Sequence, residues 1–301
     1  MDGILIIDKP PGITSHDVVA RVRRILKTKR VGHTGTLDPF ATGVMVILVG
    51  QATRLAQFLD KDAKEYEAVV RFGFGTDTGD LTGVRNSVHG TQSEEVSTLL
   101  ASTDWEKILG EFRGKIAQIP PMYSAKKIDG KKLYEHARKG ETVERKAVAV
   151  TIHKLEMVET QSRTPLSAIR IDVVCSAGTY IRTLAEDIGQ KIGVGAHLAA
   201  LRRTRAGKFT IEQSLTLVQL DELGDPQNKL IAMKDAVSHL PTLVLPDDRI
   251  EKTKNGLLTR VPEAKFTDGE AVQMHDPAGN LMAIGFYNEA ETTVQPKVVL
   301  V

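Results

Sequence analysis

At 301 residues, 41% of them hydrophobic and 26% charged, the chain has the composition of an ordinary globular protein with room for one large and one small domain. Its longest apolar run, Val44 to Val49, is far below the ~18 residues of a membrane span, and Met1-Asp2-Gly3-Ile4 lacks the basic start of a signal peptide. A single cysteine, Cys175, excludes an internal disulfide framework and fits a reducing cytoplasm.

Thr14 or Ser15 begins a helix running to about Lys27, with Asp17 completing a capping box after Thr14. Val18, Val19, Val22, Ile25 and Leu26 recur at helical spacing and leave the arginines on the opposite face. Next comes Gly32-His33-Thr34-Gly35-Thr36-Leu37-Asp38-Pro39, then Ala41-Thr42-Gly43 and the apolar strand Val44–Val49. Glycine is costly to order, and Pro39 biases Asp38 toward an extended backbone, so this carboxylate projects at a defined angle. Taken alone, such an Asp reads as a turn residue bonded to its own backbone. Tyr66 to Phe74 alternates as a half-buried strand, 86–102 reads as loop plus a short helix, and 122–145 reads as a charged, projecting insertion. Ala168 to Ser176 reads as another strand, leading through Gly178 into a helix with Ile181, Leu184, Ala185, Ile188 and Ile192 on one side. From Leu240 short apolar runs punctuated by Pro and Gly suggest a small β domain.

Net charge is only +2, but its distribution is uneven. From Leu240 onward there are six Lys and Arg against nine Asp and Glu, leaving 34 against 29 before it. The basic residues cluster in three runs: Arg21, Arg23, Arg24, Lys27, Lys29 and Arg30; Lys126, Lys127, Lys131, Lys132, Arg138 and Lys139; and Arg202, Arg203, Arg205 and Lys208. One such run is a solvated face; three flanking the Asp38 loop and the insertion fit a phosphate-backbone footprint.

The Asp38 loop resembles the catalytic motif of the TruB-type pseudouridine synthases, which modify the T loop of tRNA. Four further segments fit that family in order. They are Lys9-Pro10-Pro11-Gly12-Ile13-Thr14-Ser15, Lys64-Glu65-Tyr66, Pro120 to Lys127, and Gly178-Thr179-Tyr180-Ile181-Arg182 with its sequel through Leu201 to Thr204. The resemblance implies an α+β fold: a catalytic domain over 1–239 on a mixed, largely antiparallel sheet, with an RNA-binding insertion at about 121–146. A PUA-like β-barrel domain would follow over 240–301.

It also implies isomerisation of one uridine, that at position 55 of the T loop, after base flipping. The partner is then tRNA, with no cofactor, metal, membrane or protein partner required, and the chain is expected to be a cytoplasmic monomer. Asp38 is the implied catalytic residue, and Arg182 the cation opposing the rise in its pKa on burial. Tyr66 would stack on the flipped base, His33 would sit beside it, Tyr180 and Leu201 would line the pocket, and Lys9 would contact phosphate or support the pocket. Arg23, Arg24, Lys126, Lys127, Lys131, Lys132, Arg202 and Arg203 are the expected RNA contacts. Read without the resemblance, Tyr66, Tyr180 and Leu201 are core, Arg182 is a helix-surface charge and His33 is a loop histidine.

Three other readings compete. Asp77-Thr78-Gly79 matches the tripeptide of aspartic proteases, but that chemistry needs two such carboxylates. An RNA-binding or folding protein would bind tRNA without catalysis. A guide-dependent relative acting on ribosomal RNA would share the chemistry, but the direct start at Gly3-Ile4-Leu5 argues against it.

Overall fold

The computed structural model describes residues 1–86, 93–124, 126–128, 130–158, 167–263 and 265–300, without the side chains of Ser93, Lys127 and Lys132. In chain order its strands are β1 (Gly3–Lys9), β2 (Val31–Thr34), β3 (Thr42–Val49), β4 (Lys64–Phe72), β5 (Gly114–Gln118), the short pair β6 (Lys127–Ile128) and β7 (Lys131–Lys132), β8 (Val148–Val158), β9 (Ala168–Cys175), β10 (Ala196–Ala206) and β11 (Phe209–Thr210). The helices that matter for the site are α1 (Ser15–Ile25), α2 (Ser93–Ser102), α3 (Trp105–Gly110), α4 (Leu133–Ala137) and α5 (Ile181–Lys191). The main sheet runs β1-β3-β10-β4-β9-β8-β5, with β2 on β3 and β11 on β10. Only the β3–β10 pair is parallel, so the expected mixed, largely antiparallel sheet is present.

The apolar pattern tells how each strand is covered. Met45, Ile47 and Val49 of β3 face one hydrophobic cluster, whereas Val44, Val46 and Leu48 face a second. A strand covered on both sides has no need to alternate, hence the unbroken run. Truncating Ile47, fully buried, would cost about 2–5 kcal/mol. By contrast β4 alternates buried with half-exposed residues along its whole length and is covered on one face only. At the β3–β10 crossing, a Cβ on Gly43 (φ +102°) would stand 2.2 Å from the carbonyl oxygen of Arg203. Only glycine allows the two backbones that close.

Helix α1 starts as the sequence predicts. Thr14 caps it, the Asp17 carboxylate returns to the Thr14 backbone, and Val18, Val19 and Val22 are buried. The expected short helix before Ser102 is α2; residues 87–92 of that segment lie outside the described residues. Helix α5 buries Ile181, Leu184, Ala185 and Ile188, and its Tyr180 cap has no capping side chain of its own. Gln118 of β5 substitutes, accepting from the Tyr180 amide at 3.0 Å and donating to its carbonyl at 3.2 Å.

The C-terminal region forms a five-stranded sheet over 242–299 with its own cluster around Leu245, Val272 and Met274. It packs against the back of the main sheet, where Leu281, Ile284, Val298 and Leu300 join Ile4, Ile6, Val44 and Leu48. Among the described residues no helix is long and apolar enough to cross a membrane.

Candidate active site

The loop between β2 and β3 carries Asp38, and the N-terminal segment holds it on both sides. Ser15, buried at the start of α1, donates through Oγ to the Leu37 carbonyl at 3.0 Å and accepts from the Leu37 amide at 2.9 Å. Beyond Asp38, the Gly12 amide donates to the Pro39 carbonyl at 2.8 Å. The ammonium of Lys9, fully buried, donates to the carbonyls of Pro39 at 3.0 Å, Ala41 at 2.6 Å and Pro10 at 2.9 Å. Burial pulls the Lys9 pKa down to about 8, with the Asp38 carboxylate opposing the fall. Both peptide neighbours of Asp38 are thereby fixed, and so is the direction of its side chain.

That side chain meets Arg182 from the first turn of α5. Nε lies 2.9 Å from Oδ2 and Nη2 donates to Oδ1 at 3.1 Å, a two-point contact in which the Arg182 side chain is 6% exposed and that of Asp38 29%. The carboxylate is thus anchored at one edge and open to the cleft at the other. Arg182 is itself pinned: Nη1 donates to the Thr78 carbonyl and Nη2 to the Tyr123 carbonyl, each at 2.8 Å. Asp80 lies 3.8 Å away on the far side, its other oxygen taken by Thr78 and Thr82. Burial raises the Asp38 pKa and Asp80 adds to it, while Arg182 and then Lys9 pull it back toward the ionised form. Glu186, one helical turn after Arg182, packs over Gly79, where a Cβ would come within 2.8 Å of its carboxylate oxygen. Burial first, then Asp187, push its pKa up to about 7, against Arg182 and Arg145.

Asp38 opens into a cleft of about 280 Å³ whose walls include Tyr66, Leu201, Tyr180 and Ser124. Four cations, Lys64, Lys126, Arg182 and Arg203, line it against that single carboxylate. The field inside is therefore positive, suited to an anionic substrate strand. Tyr66 is buried, and burial raises its phenol pKa against the pull of the neighbouring Arg203 guanidinium.

The structure brings Asp38, Arg182, Tyr66, Tyr180 and Leu201 to one cleft, places Arg203 and His33 elsewhere than a surface footprint and the cleft wall, and gives Lys9 the supporting one of its two implied roles. Arg203 is 1% exposed, with its guanidinium donating to the carbonyls of Val44 at 2.7 Å and Gly35 at 3.1 Å, so it belongs to the cleft floor and not to a surface footprint. Lys9 spends its ammonium on three backbone carbonyls and supports the loop without reaching the cleft. His33 is not among the cleft-lining residues; it sits edge-on to His16, its Nδ1 is buried without a partner, and burial lowers its pKa to about 4.

Of the other basic residues, Arg24 and Lys131 are exposed and Lys126 reaches the cleft wall. Arg23 donates to the Val31 carbonyl, and Arg202 pairs with Asp8 at 2.8 Å. The side chains of Lys127 and Lys132 lie outside the described residues. Cys175 is buried, with its thiol pushed up to about 11.

Sequence reasoning missed Ser15, Lys64, Asp80 and Ser124 as parts of the site. Lys64 had a usable signal: it shares the inward phase of β4 with Tyr66 and Ala68, as Arg203 shares that of β10 with Leu201. The Asp77-Thr78-Gly79 tripeptide supports Arg182 through the Thr78 carbonyl, and the Asp77 carboxylate accepts from the Val84 amide.

Known structures share this overall fold. A chain of a Cbf5-Nop10-Gar1 complex matches with a TM-score of 0.72 and 28% identity over 99% of this chain and 85% of that one. A chain of an H/ACA RNP bound to a substrate RNA containing 2′-deoxyuridine matches at 0.70 and 27%, with the same coverage. The fold is that of a pseudouridine synthase.

Residues 23–181 match the TruB family pseudouridylate synthase N-terminal domain, and 182–250 the tRNA pseudouridylate synthase B C-terminal domain. The tRNA pseudouridine synthase B of Heliobacterium modesticaldum is 44% identical over 95% of this chain and 90% of its own length. That of Bacillus subtilis is 39% identical over 97% and 94%. The chain belongs to the TruB family of pseudouridylate synthases.

Proposed function

We infer that this chain isomerises uridine to pseudouridine in tRNA, at position 55 of the T loop. The observation that carries the reading is the two-point Asp38–Arg182 contact at the edge of a cation-lined cleft. Pseudouridine formation breaks an N-glycosidic bond, turns the base and joins C5 to the sugar. It is redox-neutral and needs no electron carrier, only a positioned ionised group beside an extruded base. Asp38 fills that role, either by attack at C6 of the base or by assisting departure at C1′.

Extruding the base costs a few kcal/mol. Stacking on an aromatic wall returns ~1–3 kcal/mol, and Tyr66 is our candidate for that wall. The exposed cations of α1 and of the insertion hold the phosphate backbone. In this reading the chain acts on tRNA alone, as a monomer, with residues 1–239 as the catalytic unit and 240–301 as a second, more acidic unit. Full-length similarity to relatives named for tRNA favours this over guide-dependent action. Tritium release from C5-labelled uridine in a tRNA transcript, with the purified chain as sole protein, tests it. Release confined to the T-loop uridine is expected. No release, or release only with a guide RNA added, contradicts it.

A further inference from the structure

Ser124 stands where the chain leaves the cleft for the insertion. It is 6% exposed and lines the cleft beside Tyr180, yet its Oγ completes no hydrogen bond. Its place is fixed from two directions: the Ser124 carbonyl accepts from the Tyr134 amide of α4 at 3.1 Å, and the preceding Tyr123 carbonyl accepts from Arg182 at 2.8 Å. The Tyr180 hydroxyl is close enough to feel Ser124, which opposes the upward push of burial on that phenol. A serine hydroxyl offers one donor and two acceptor sites, so a lone phenol leaves most of that capacity open. Buried hydroxyls with that much capacity unfilled are rare in native proteins and call for a ligand or a water.

We propose that Ser124 Oγ binds the ribose 2′-hydroxyl of the target uridine and so makes the site select RNA over DNA. This rests on the functional reading above. Whether Asp38 acts at C1′ or at C6, the C1′ side of the sugar lies against its carboxylate, and C2′ is bonded to C1′. One guanidinium joins the two walls: Arg182 Nη2 touches Asp38 Oδ1 at 3.1 Å and the Tyr123 carbonyl at 2.8 Å. The Tyr123–Ser124 peptide is thus tied to the same guanidinium as the carboxylate, and Ser124 and Asp38 line one cleft. A hydroxyl that both donates and accepts is matched by another of the same kind, and the 2′-hydroxyl is what separates RNA from DNA at a single site.

The test is a four-way affinity comparison in an Asp38→Asn background, where turnover does not intervene. T-arm stem-loops carrying uridine or 2′-deoxyuridine at the target position are titrated against Ser124 and Ser124→Ala proteins. One hydrogen bond corresponds to roughly a tenfold difference. Removing the 2′-hydroxyl should weaken binding about tenfold when Ser124 is present and less than twofold when it is alanine. An equal penalty in both proteins overturns the proposal and moves the Ser124 contact to the uracil edge or to water. Ser124→Cys, of similar size and with a weak donor, carries the same comparison if the alanine variant does not fold. Tritium release by the otherwise native chain is scored separately, so an inactive chain refutes the functional reading while leaving this comparison intact.

Discussion

The cations around Asp38 and those on α1 and the insertion are the same residue types in opposite situations. Lys9, Arg182 and Arg203 are buried and bonded to named backbone carbonyls. Arg21, Arg24 and Lys131 face water. A buried charge is tolerated only when paired or hydrogen-bonded, so the first group shapes the loop and the carboxylate through fixed geometry. An exposed charge keeps its hydration and acts through a screened field, so the second group can contribute affinity but little stability. The lesson is that a count of basic residues along the chain mixes two functions that only burial separates.

Breaking the buried set should have the larger effects. Arg182→Met removes the partner of a mostly buried carboxylate, a loss of about 3–5 kcal/mol where such pairs are broken. Pseudouridine formation should fall by on the order of 10²–10³-fold, and the acid limb of its pH–rate profile should move to higher pH, since the cation that favours ionised Asp38 is gone. An unmoved limb would show that Arg182 does not set the state of Asp38.

Ser15→Ala strips two hydrogen bonds from the Leu37 peptide and should destabilise the fold by roughly 1–3 kcal/mol in urea titration. A wild-type midpoint would mean that Lys9 and Gly12 hold the loop unaided.

Glu186 sharpens the comparison from the acidic side. Its folded pKa, about 7, lies above the unfolded value of 4.5, so the stability it lends is complete below 4.5 and is lost as pH rises through 7. Glu186→Gln never ionises. Its thermal midpoint should exceed that of the wild type at pH 8 by more than it does at pH 5. A constant gap would contradict the assignment.

The smallest effect belongs to the exposed set. Replacing Arg24 and Lys131, both exposed, by glutamine should leave the melting curve unchanged while weakening T-arm binding. The slope of log affinity against log salt should fall by about one for each phosphate that is no longer neutralised. An unchanged slope would place the RNA clamp elsewhere.

How much of this was legible in the sequence follows the same division. Local signals gave α1 with its Thr14–Asp17 cap, the apolar strand β3 and the alternating β4, because each depends on neighbours within a few residues. The Asp38–Arg182 pair spans 144 positions, and only the family resemblance joined its partners. Ser15 reads as a second helix-capping candidate after Thr14, yet its hydroxyl turns to Leu37, 22 positions on. Arg203 reads as a surface arginine because its neighbours in sequence are basic, although the phase of β10 points it inward with Leu201. Asp80 was hidden beside a tripeptide that suggested a different enzyme.

The most direct test of Asp38 as the catalytic group is tritium release from C5-labelled T-loop uridine by the wild type and by Asp38→Asn, each checked for folding and for tRNA binding. Release by the wild type and none by the variant, with binding retained, is the expected result. Turnover by Asp38→Asn near the wild-type rate would contradict it.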